Sequence, residues 1–189
     1  MSALATPRIS PEEYLAQDRV AEFKSEYHDG EVFPASGVSW EHGRIHAAAT
    51  RRIEERLDGS PCQLIAASVR LRVSPTKYVY PDLMVLCGAV FTDEQTDTVT
   101  NPKLIAEILS PSTADYDYGT KLAWYRSLPS LEEYVLISQD APRVEVYQRL
   151  TDQRWVLATF EGWDSVLPLE SLAISLPLAE IYSDVLPRD

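Results

Sequence analysis

The sequence predicts a mixed α/β (α+β) fold, in which helices flank one central mixed β-sheet within a single domain spanning residues 1–189. Apolar residues recur at three- and four-residue steps in some segments and alternate strictly in others, and these are the periodicities of helices and half-buried strands. Hydrophobic residues make up 45% of the 189 residues, which is enough for one buried core. We find no repeat, linker or low-complexity segment that would divide the chain.

The N-terminal elements are predicted to be a helix and a hairpin. The segment Ser10–Glu13 contains a capping box with proline at the first helical position, so a helix is expected to begin there. Asp29-Gly30 lies between two short strand-like arms, which is the pattern of a tight hairpin. This hairpin places Glu26 on its first arm, just before the turn.

The middle of the chain is predicted to contain a long helix, further strands and a second helix. Helical spacing of apolar residues predicts an amphipathic helix from Ser39 to Leu57. Alternation predicts a strand from Val69 to Val73, antiparallel to the strand-like run around Asp82. The polar segment Thr92 to Asn101 is predicted to be a surface loop, and a helix is expected from about Tyr118 to Leu128.

The C-terminal part is predicted to consist of strands followed by a short helix. Two of the strands are expected to form a hairpin with a polar turn near Thr151-Asp152. The predicted strands are Tyr134–Ile137, Val144–Tyr147, Trp155–Ala158 and one through Leu172, Ile174 and Leu176, and the helix is Leu178–Tyr182.

Charge and cysteine content limit the partners and the compartment that we expect. The net charge of −12 should repel nucleic acid and anionic membranes at long range. Cys62 and Cys87 form no C-x-x-C pair and are expected to be reduced, buried thiols. The segment Met1–Pro7 lacks a signal-peptide pattern, and no apolar run approaches the length of a membrane span. The sequence therefore predicts a soluble, cytoplasmic protein without a membrane partner.

Two apolar, strand-like runs each carry one acid. Asp82 lies in the run 80–85 and Glu107 in the run 104–109, where an uncompensated carboxylate would cost several kcal/mol. If the strands are adjacent, both carboxylates can project from one face and share Mg²⁺ or Mn²⁺. The backbone carbonyl of Ile108 is a candidate third ligand. The alternatives are that Asp82 caps a strand or binds a backbone amide, and that Glu107 forms a buried salt bridge.

Several motifs follow one another in a specific order along nearly the whole chain. They are Ser25–Glu31, His42, Tyr80–Val85, Ala106–Thr113, Lys121 with Tyr125, and Tyr134–Ile137 onward to Trp155. None is decisive alone, but together they resemble the bacterial Uma-type endonuclease family of the restriction-endonuclease-like P-D-(D/E)-x-K nuclease superfamily. The resemblance implies that superfamily's fold, with an N-terminal helix and hairpin beside a central sheet.

The resemblance also implies roles for individual residues. Asp82 and Glu107 match the metal-binding acids, and Glu26 matches an upstream acid that helps to hold metal or water. By sequence context alone, Glu26 is equally well explained as a solvated hairpin residue. The resemblance further implies a product with a 5′ phosphate and a homodimer.

One position departs from the superfamily pattern. A lysine is expected two residues after Glu107, and this chain has Leu109 there. The family resemblance suggests that Lys121 supplies the cation from the following helix, where it would orient or acidify the attacking water and stabilise phosphate charge. By spacing alone, Lys121 could equally form an ordinary helical ion pair with Asp117.

The predicted function is that of a magnesium-dependent endonuclease, a hydrolase that cleaves DNA phosphodiester bonds. The alternative is a catalytically silent nuclease-fold module that binds nucleic acid or protein, which Leu109 and the acidic charge favour. A local concentration of arginines is a candidate DNA-facing patch near the site. His42 is expected to face the site through a hydrogen bond, and His46 has no assigned role. Three aromatic residues are expected in the core. The arginines are Arg51, Arg52, Arg56, Arg70 and Arg72, and the aromatic residues are Trp124, Tyr125 and Trp155.

Overall fold

The computed structural model describes residues 8–35, 37 and 39–188. Two larger β-sheets and a two-stranded ribbon are flanked by helices, which confirms the mixed α+β class. The prediction of one sheet is wrong, because the strands divide into two sheets that pack against each other. The segment 1–7, for which the sequence predicts no signal peptide, lies outside the described residues. No helix within the described ranges has the length and apolar character needed to cross a membrane.

The helices and strands have the following bounds. The helices are α1 Pro11–Asp18, α2 Trp40–Leu57, α3 Ala114–Tyr116, α4 Leu122–Tyr125 and α5 Leu178–Tyr182, with a π-helical turn at Asp117–Lys121 and a 3₁₀ turn at Glu170–Leu172. The strands are β1 Ser25–His28, β2 Glu31–Pro34, β3 Gln63–Ala66, β4 Arg70–Ser74, β5 Lys77–Val79, β6 Leu83–Leu86, β7 Thr98–Val99, β8 Leu104–Leu109, β9 Glu133–Ser138, β10 Arg143–Arg149, β11 Trp155–Glu161, β12 Val166–Leu169 and β13 Ile174–Pro177.

The six-stranded sheet has the order β11-β10-β9-β8-β6-β3 and contains one parallel pair, β8 with β9. Its central strands β6 and β8 are apolar almost throughout because both faces of the sheet are covered. One face packs against α2 and α5 through residues such as Val85 and Ala106. The other face packs against the five-stranded sheet and α4 through residues such as Met84 and Ile105. Side chains alternate between the two faces along a strand, so Glu107, which follows Ala106, points towards the five-stranded sheet and α4.

The five-stranded sheet has the order β2-β1-β5-β4-β7 and corrects two predictions. The strand β4 pairs with β5, whereas β6, which follows Asp82, lies in the other sheet. The turn at Ser74–Thr76 is therefore a short hairpin, and its second arm β5 leads towards Asp82. The predicted surface loop Thr92 to Asn101 contains β7, which runs parallel to β4 and buries both of its residues.

The predicted N-terminal hairpin is confirmed. Asp29 and Gly30 form its turn with φ angles of 48° and 103°, a conformation that favours glycine. The side chains of Lys77 and Thr76 bind the Asp29 carboxylate at 2.7 and 2.6 Å, which ties the hairpin turn to the turn between β4 and β5. This tie and the pairing of β1 with β5 place Glu26 beside the end of β5.

The cysteine prediction is wrong, because Cys62 and Cys87 form a disulfide bond. The antiparallel register of β3 and β6 pairs Gln63 with Leu86. The next pair in that register is Cys62 with Cys87, so the two cysteines lie opposite each other. Their separation of 25 residues gives no sign of this in the sequence. The expectation of a cytoplasmic protein therefore loses the support that it drew from reduced thiols.

The C-terminal predictions differ from the structure only in detail. The strand pairs β9–β10 and β10–β11 and the helix α5 are confirmed. Leu172 lies in the 3₁₀ turn rather than in the last strand. The predicted helix from Tyr118 to Leu128 begins earlier, at Ala114, and its regular part ends at Tyr125.

A buried ion pair joins α1 to the five-stranded sheet. The Asp18 carboxylate accepts hydrogen bonds from Arg70 at 2.7 Å and from the Tyr80 hydroxyl at 2.6 Å. The side chains of Asp18 and Arg70 are only 1% and 3% exposed. Because both charges are removed from water, each depends on the other for compensation.

Replacing Asp18 by alanine should lower the free energy of unfolding by about 3 kcal/mol, because it leaves the Arg70 guanidinium buried beside a weaker partner. That partner is Asp97, at 3.4 Å. Urea denaturation of the wild type and of Asp18→Ala measures the change. The matched control is Asp93→Ala, which removes an exposed ion pair with Arg19 and should cost less than about 1 kcal/mol. Equal losses for the two variants would contradict the assignment.

The same ion pair should contribute to stability in a pH-dependent way. Burial raises the pKa of Asp18, but hydrogen bonds from Tyr80, Arg70 and Ser25 outweigh this and hold the pKa below its ordinary value. The stabilisation is therefore fully present above about pH 4 and is lost as the pH falls through the lower pKa of the folded state. The difference in unfolding free energy between wild type and Asp18→Asn should shrink between about pH 7 and about pH 3. A difference that stays constant across this range would show that the Asp18 pKa is not lowered.

Candidate active site

A cavity of about 490 Å³ opens between the two sheets and the helical segment α3–α4. Glu26, Asp82, Glu107 and Lys121, the four residues predicted as the site, all line it. They come from β1, the segment before β6, β8 and the π-helical turn. The structure therefore brings together residues that lie up to 95 positions apart in the sequence.

Glu107 is the most deeply buried of the four and is 3% exposed. Its Oε1 accepts hydrogen bonds from the Tyr125 hydroxyl at 2.8 Å and from Lys121 Nζ at 3.0 Å. Its Oε2 accepts one from the backbone N–H of Asp82 at 3.2 Å. The carboxyl group is thus fixed from three directions, which is what burial of such a group requires.

Asp82 lies directly before β6 rather than inside it, and its side chain is 19% exposed. The register of β6 and β8 pairs Leu83 with Ala106, so the next position places Asp82 opposite Glu107. The Oδ2 of Asp82 accepts a hydrogen bond from the backbone N–H of Ile108 at 2.8 Å. The predicted adjacency of the two acids is therefore confirmed, whereas the placement of Asp82 within a buried strand is wrong.

Two histidines of α2 contact Asp82. His42 Nε2 lies 3.3 Å from Asp82 Oδ1, as predicted for a helix residue that faces the site. His46 Nε2, which had no predicted role, lies 3.1 Å from the backbone carbonyl oxygen of Asp82. The N-terminal half of α2 thus orients both the side chain and the peptide of this residue.

Glu26 is held on β1 and its side chain is 15% exposed, so the interpretation as a solvated hairpin residue is wrong. Its Oε1 accepts a hydrogen bond from the backbone N–H of Tyr80 at 3.3 Å, and its Oε2 accepts one from the Tyr116 hydroxyl at 3.2 Å. His28, which is on the same face of β1, places Nε2 3.5 Å from Glu26 Oε2. These contacts direct the Glu26 carboxylate into the cavity.

Lys121 reaches the acids from the π-helical turn. Its Nζ lies 3.0 Å from Glu107 Oε1, 3.2 Å from Asp117 Oδ1 and 3.9 Å from Glu26 Oε1. The ordinary helical ion pair with Asp117 and the contact with Glu107 therefore coexist. Leu109, at the position where the superfamily has lysine, packs against the apolar cluster between the sheets.

Burial and crowding of carboxyl groups shift the pKa values in the cavity. Burial raises the pKa of Glu107 to about 8, with Lys121 opposing this rise and the carboxyl groups of Asp82 and Asp117 adding to it. Burial likewise raises the pKa of Asp117. Burial lowers the pKa of Lys121, but the carboxylates of Glu107, Glu26 and Asp117 outweigh this and hold its pKa above the ordinary value. Lys121 is therefore charged at neutral pH.

The donors at this site fit a hard divalent cation. Asp82, directly before β6, and Glu107, on β8, lie opposite each other, and carboxylate oxygens are the ligands that such cations prefer. Across residues 8–35, 37 and 39–188, no three His, Cys, Asp or Glu side chains converge at ligand spacing. Two carboxylates would therefore have to be completed by other oxygens, from the backbone, water or a phosphate group.

Several residues of the site were not predicted from the sequence. Tyr125 was expected only as a core aromatic, but its buried hydroxyl donates to Glu107. Trp124, also expected in the core, lines the cavity together with Tyr116 and Asp117. His28 could have been found, because it lies two positions after Glu26 and strand alternation places both side chains on one face. For Tyr116 and Trp124, we see no comparable signal in the sequence.

The predicted arginine patch near the site is wrong. Arg51 and Arg52 bind Glu55 one helical turn away, and Arg56 binds Glu180 of α5. Arg70 and Arg72 lie on β4 of the five-stranded sheet, where Arg70 is buried with Asp18. None of these five described arginines lines the cavity. The concentration in sequence therefore does not become a basic surface at the site, because most of these charges are paired locally.

The family model Uma2, described as "Putative restriction endonuclease", matches residues 11–179. Two uncharacterized proteins of Synechocystis sp. are similar over 177 residues each. One is 36% identical, over 92% of this chain and 100% of that protein. The other is 32% identical, over 93% of this chain and 92% of that protein.

A solved structure has the same fold. It is described as a "putative nuclease belonging to DUF820" from Anabaena variabilis, and it matches with a TM-score of 0.76 at 20% sequence identity. The match covers 94% of this chain and 99% of that chain. The predicted resemblance to the Uma-type family is thereby confirmed, and the chain belongs to the Uma2 family.

Proposed function

We propose that this chain is a metal-dependent endonuclease that hydrolyses DNA phosphodiester bonds at the cavity described above. The observation that carries the proposal is the distance of 3.0 Å between Lys121 Nζ and Glu107 Oε1, beside Asp82. Two neighbouring acids, one on β8 and one directly before β6, and one lysine are the side chains that this chemistry needs. Here the lysine comes from the π-helical turn instead of position 109. The description of the family and that of the solved structure support a nuclease.

The metal would be held by Asp82 and Glu107, with Glu26 and the backbone carbonyl of Ile108 as further candidate ligands. A bound Mg²⁺ or Mn²⁺ would polarise the scissile phosphate and lower the pKa of a coordinated water. The hydrogen bonds from Tyr125 to Glu107 and from Ile108 to Asp82 keep these carboxylates in place during the reaction.

Lys121 would act on the phosphate and on the attacking water. Its charged ammonium group can donate to a non-bridging phosphate oxygen, whose negative charge grows in the transition state. It can also orient the water for in-line attack, in which the bond from phosphorus to the 3′ oxygen breaks and the 5′ phosphate remains on the product. The contacts with Glu107 and Asp117 set the position from which Lys121 does this.

The second candidate is a catalytically silent module of the same fold that binds nucleic acid or protein. The local pairing of the arginines favours it, because phosphate contacts normally need free basic side chains. Against it stands the cost of keeping several buried carboxyl groups around one lysine without a function. The homodimer that the family resemblance implies is compatible with both candidate functions. Light scattering in solution would detect it.

Conservative substitutions in the site should abolish DNA cleavage. With Mn²⁺ and plasmid or single-stranded DNA, Asp82→Asn, Glu107→Gln and Lys121→Met should each lower the cleavage rate at least about 100-fold. Each variant removes one charge that the reaction uses while nearly preserving side-chain volume. Electrophoresis of the products measures the rate.

The matched control is Lys103→Met, which removes a half-exposed lysine paired with Glu132 and should cleave like the wild type. Thermal melting of every variant separates a loss of activity from a loss of folding. If wild type and Asp82→Asn behave alike, the nuclease proposal is wrong. If Lys121→Met alone keeps full activity, the acids retain their proposed role and the role of Lys121 is wrong.

A further inference from the structure

Four ring side chains form one wall of the cavity, which we call the aromatic wall: His28, Phe33, Tyr116 and Trp124. The His28 ring stacks on Phe33 with ring centroids 4.8 Å apart, and it packs edge-on against Trp124 with ring centroids 4.5 Å apart. Tyr116 packs edge-on against Trp124 at 5.9 Å. These mutual contacts hold the rings in place before any ligand arrives.

The aromatic wall adjoins the charged side of the cavity. The Tyr116 hydroxyl lies 2.9 Å from His28 Nε2 and donates to Glu26 Oε2. Lys121 Nζ lies 5.4 Å from the centre of the Tyr116 ring. A ligand that touches the aromatic wall therefore has its neighbouring atoms beside Lys121 and the carboxylates.

The charge distribution argues against a paired double helix as the ligand. The chain carries a net charge of −12, and four of the five arginines in the predicted patch, Arg51, Arg52, Arg56 and Arg70, form ion pairs. Binding of duplex DNA relies on many phosphate contacts to Lys and Arg along its backbone. Stacking of unpaired bases on aromatic rings needs far fewer such contacts.

The size of the cavity points the same way. At about 490 Å³ it lies within the range of about 300–1,000 Å³ that is typical of small-molecule sites. It is thus large enough for one nucleotide. Phe33 keeps 43% of its surface exposed, so a ring of the wall remains accessible from solvent.

We infer that the site takes an unpaired nucleotide of a DNA strand, whose base stacks on the aromatic wall while its phosphate faces Lys121 and the acids. The inference rests on the proposed nuclease function and names its substrate class, single-stranded DNA or an unpaired segment of a duplex. The aromatic wall then supplies affinity that the acidic surface cannot supply through charge.

Fluorescence of a short oligonucleotide with one central 2-aminopurine tests the stacking directly. With Ca²⁺ in place of Mn²⁺ to limit cleavage, wild-type protein should quench the single-stranded probe and bind the same probe at least about 10-fold more weakly when it is annealed to its complement. Trp124→Leu and Phe33→Leu should bind the single strand about 10- to 100-fold more weakly, since base stacking is lost.

The matched control is Trp155→Leu. Trp155 is also half-buried, but it lies outside this cavity, where the Arg149 guanidinium carbon is 4.6 Å from the centre of its ring. It should bind within about twofold of the wild type. Phe33→Leu alters an exposed side chain, so it remains informative if Trp124→Leu fails to fold. Equal affinity for single strand and duplex, or wild-type affinity of both cavity variants, would overturn the inference.

Cleavage of the same two probes with Mn²⁺ separates this inference from the proposed function. If the wild type cuts both probes equally and Phe33→Leu cuts as fast as the wild type, the nuclease proposal stands and the stacking inference is wrong. If no DNA is cut but the Trp124-dependent quenching is observed, the nuclease proposal is wrong and the assignment of an unpaired base to the aromatic wall stands.

Discussion

The contact between Lys121 and Glu107 is the interaction on which the site depends. A carboxyl group that is 3% exposed needs compensation, and the chain provides it with an ammonium group at 3.0 Å and a phenol at 2.8 Å. The six-stranded sheet holds Glu107, and the helical segment around the π-helical turn holds Lys121 and Tyr125. The packing of that segment on the sheet is therefore coupled to the chemistry of the site, because moving it would uncover a buried charge.

Under the proposed function, Lys121 takes the place of a lysine at position 109. On β8, alternation points position 109 to the same side as Glu107, so a lysine there would reach the same cavity. Here Leu109 packs into the apolar cluster between the sheets. The π-helical turn at Asp117–Lys121 places the ammonium group near the acids from a different element. Such turns are often found at functional sites, and this one brings in both Lys121 and Asp117.

Sequence patterns predicted the parts of the fold that depend on local physics. The capping box at Ser10, the Asp29-Gly30 turn and the apolar runs of β6 and β8 all signal their structure within a few residues. Features that depend on strand register or on contacts between distant elements were missed. The disulfide between Cys62 and Cys87 follows from the register of β3 and β6. The division into two sheets follows because β5 pairs with β4 and not with β6. The role of Tyr125 depends on a helix packing over Glu107, which no local pattern records.

Under the proposed function, Glu107 would be a ligand of a divalent cation shared with Asp82. Burial raises the pKa of its carboxyl group, so a cation that binds there favours the deprotonated form and releases a proton. The most direct measurement is calorimetric titration of Mn²⁺ at pH 7 in two buffers with different ionisation enthalpies. We expect the wild type to bind Mn²⁺ with release of up to one proton and Glu107→Gln to lose that release. Mn²⁺ binding by Glu107→Gln with unchanged affinity and unchanged proton release would contradict the account.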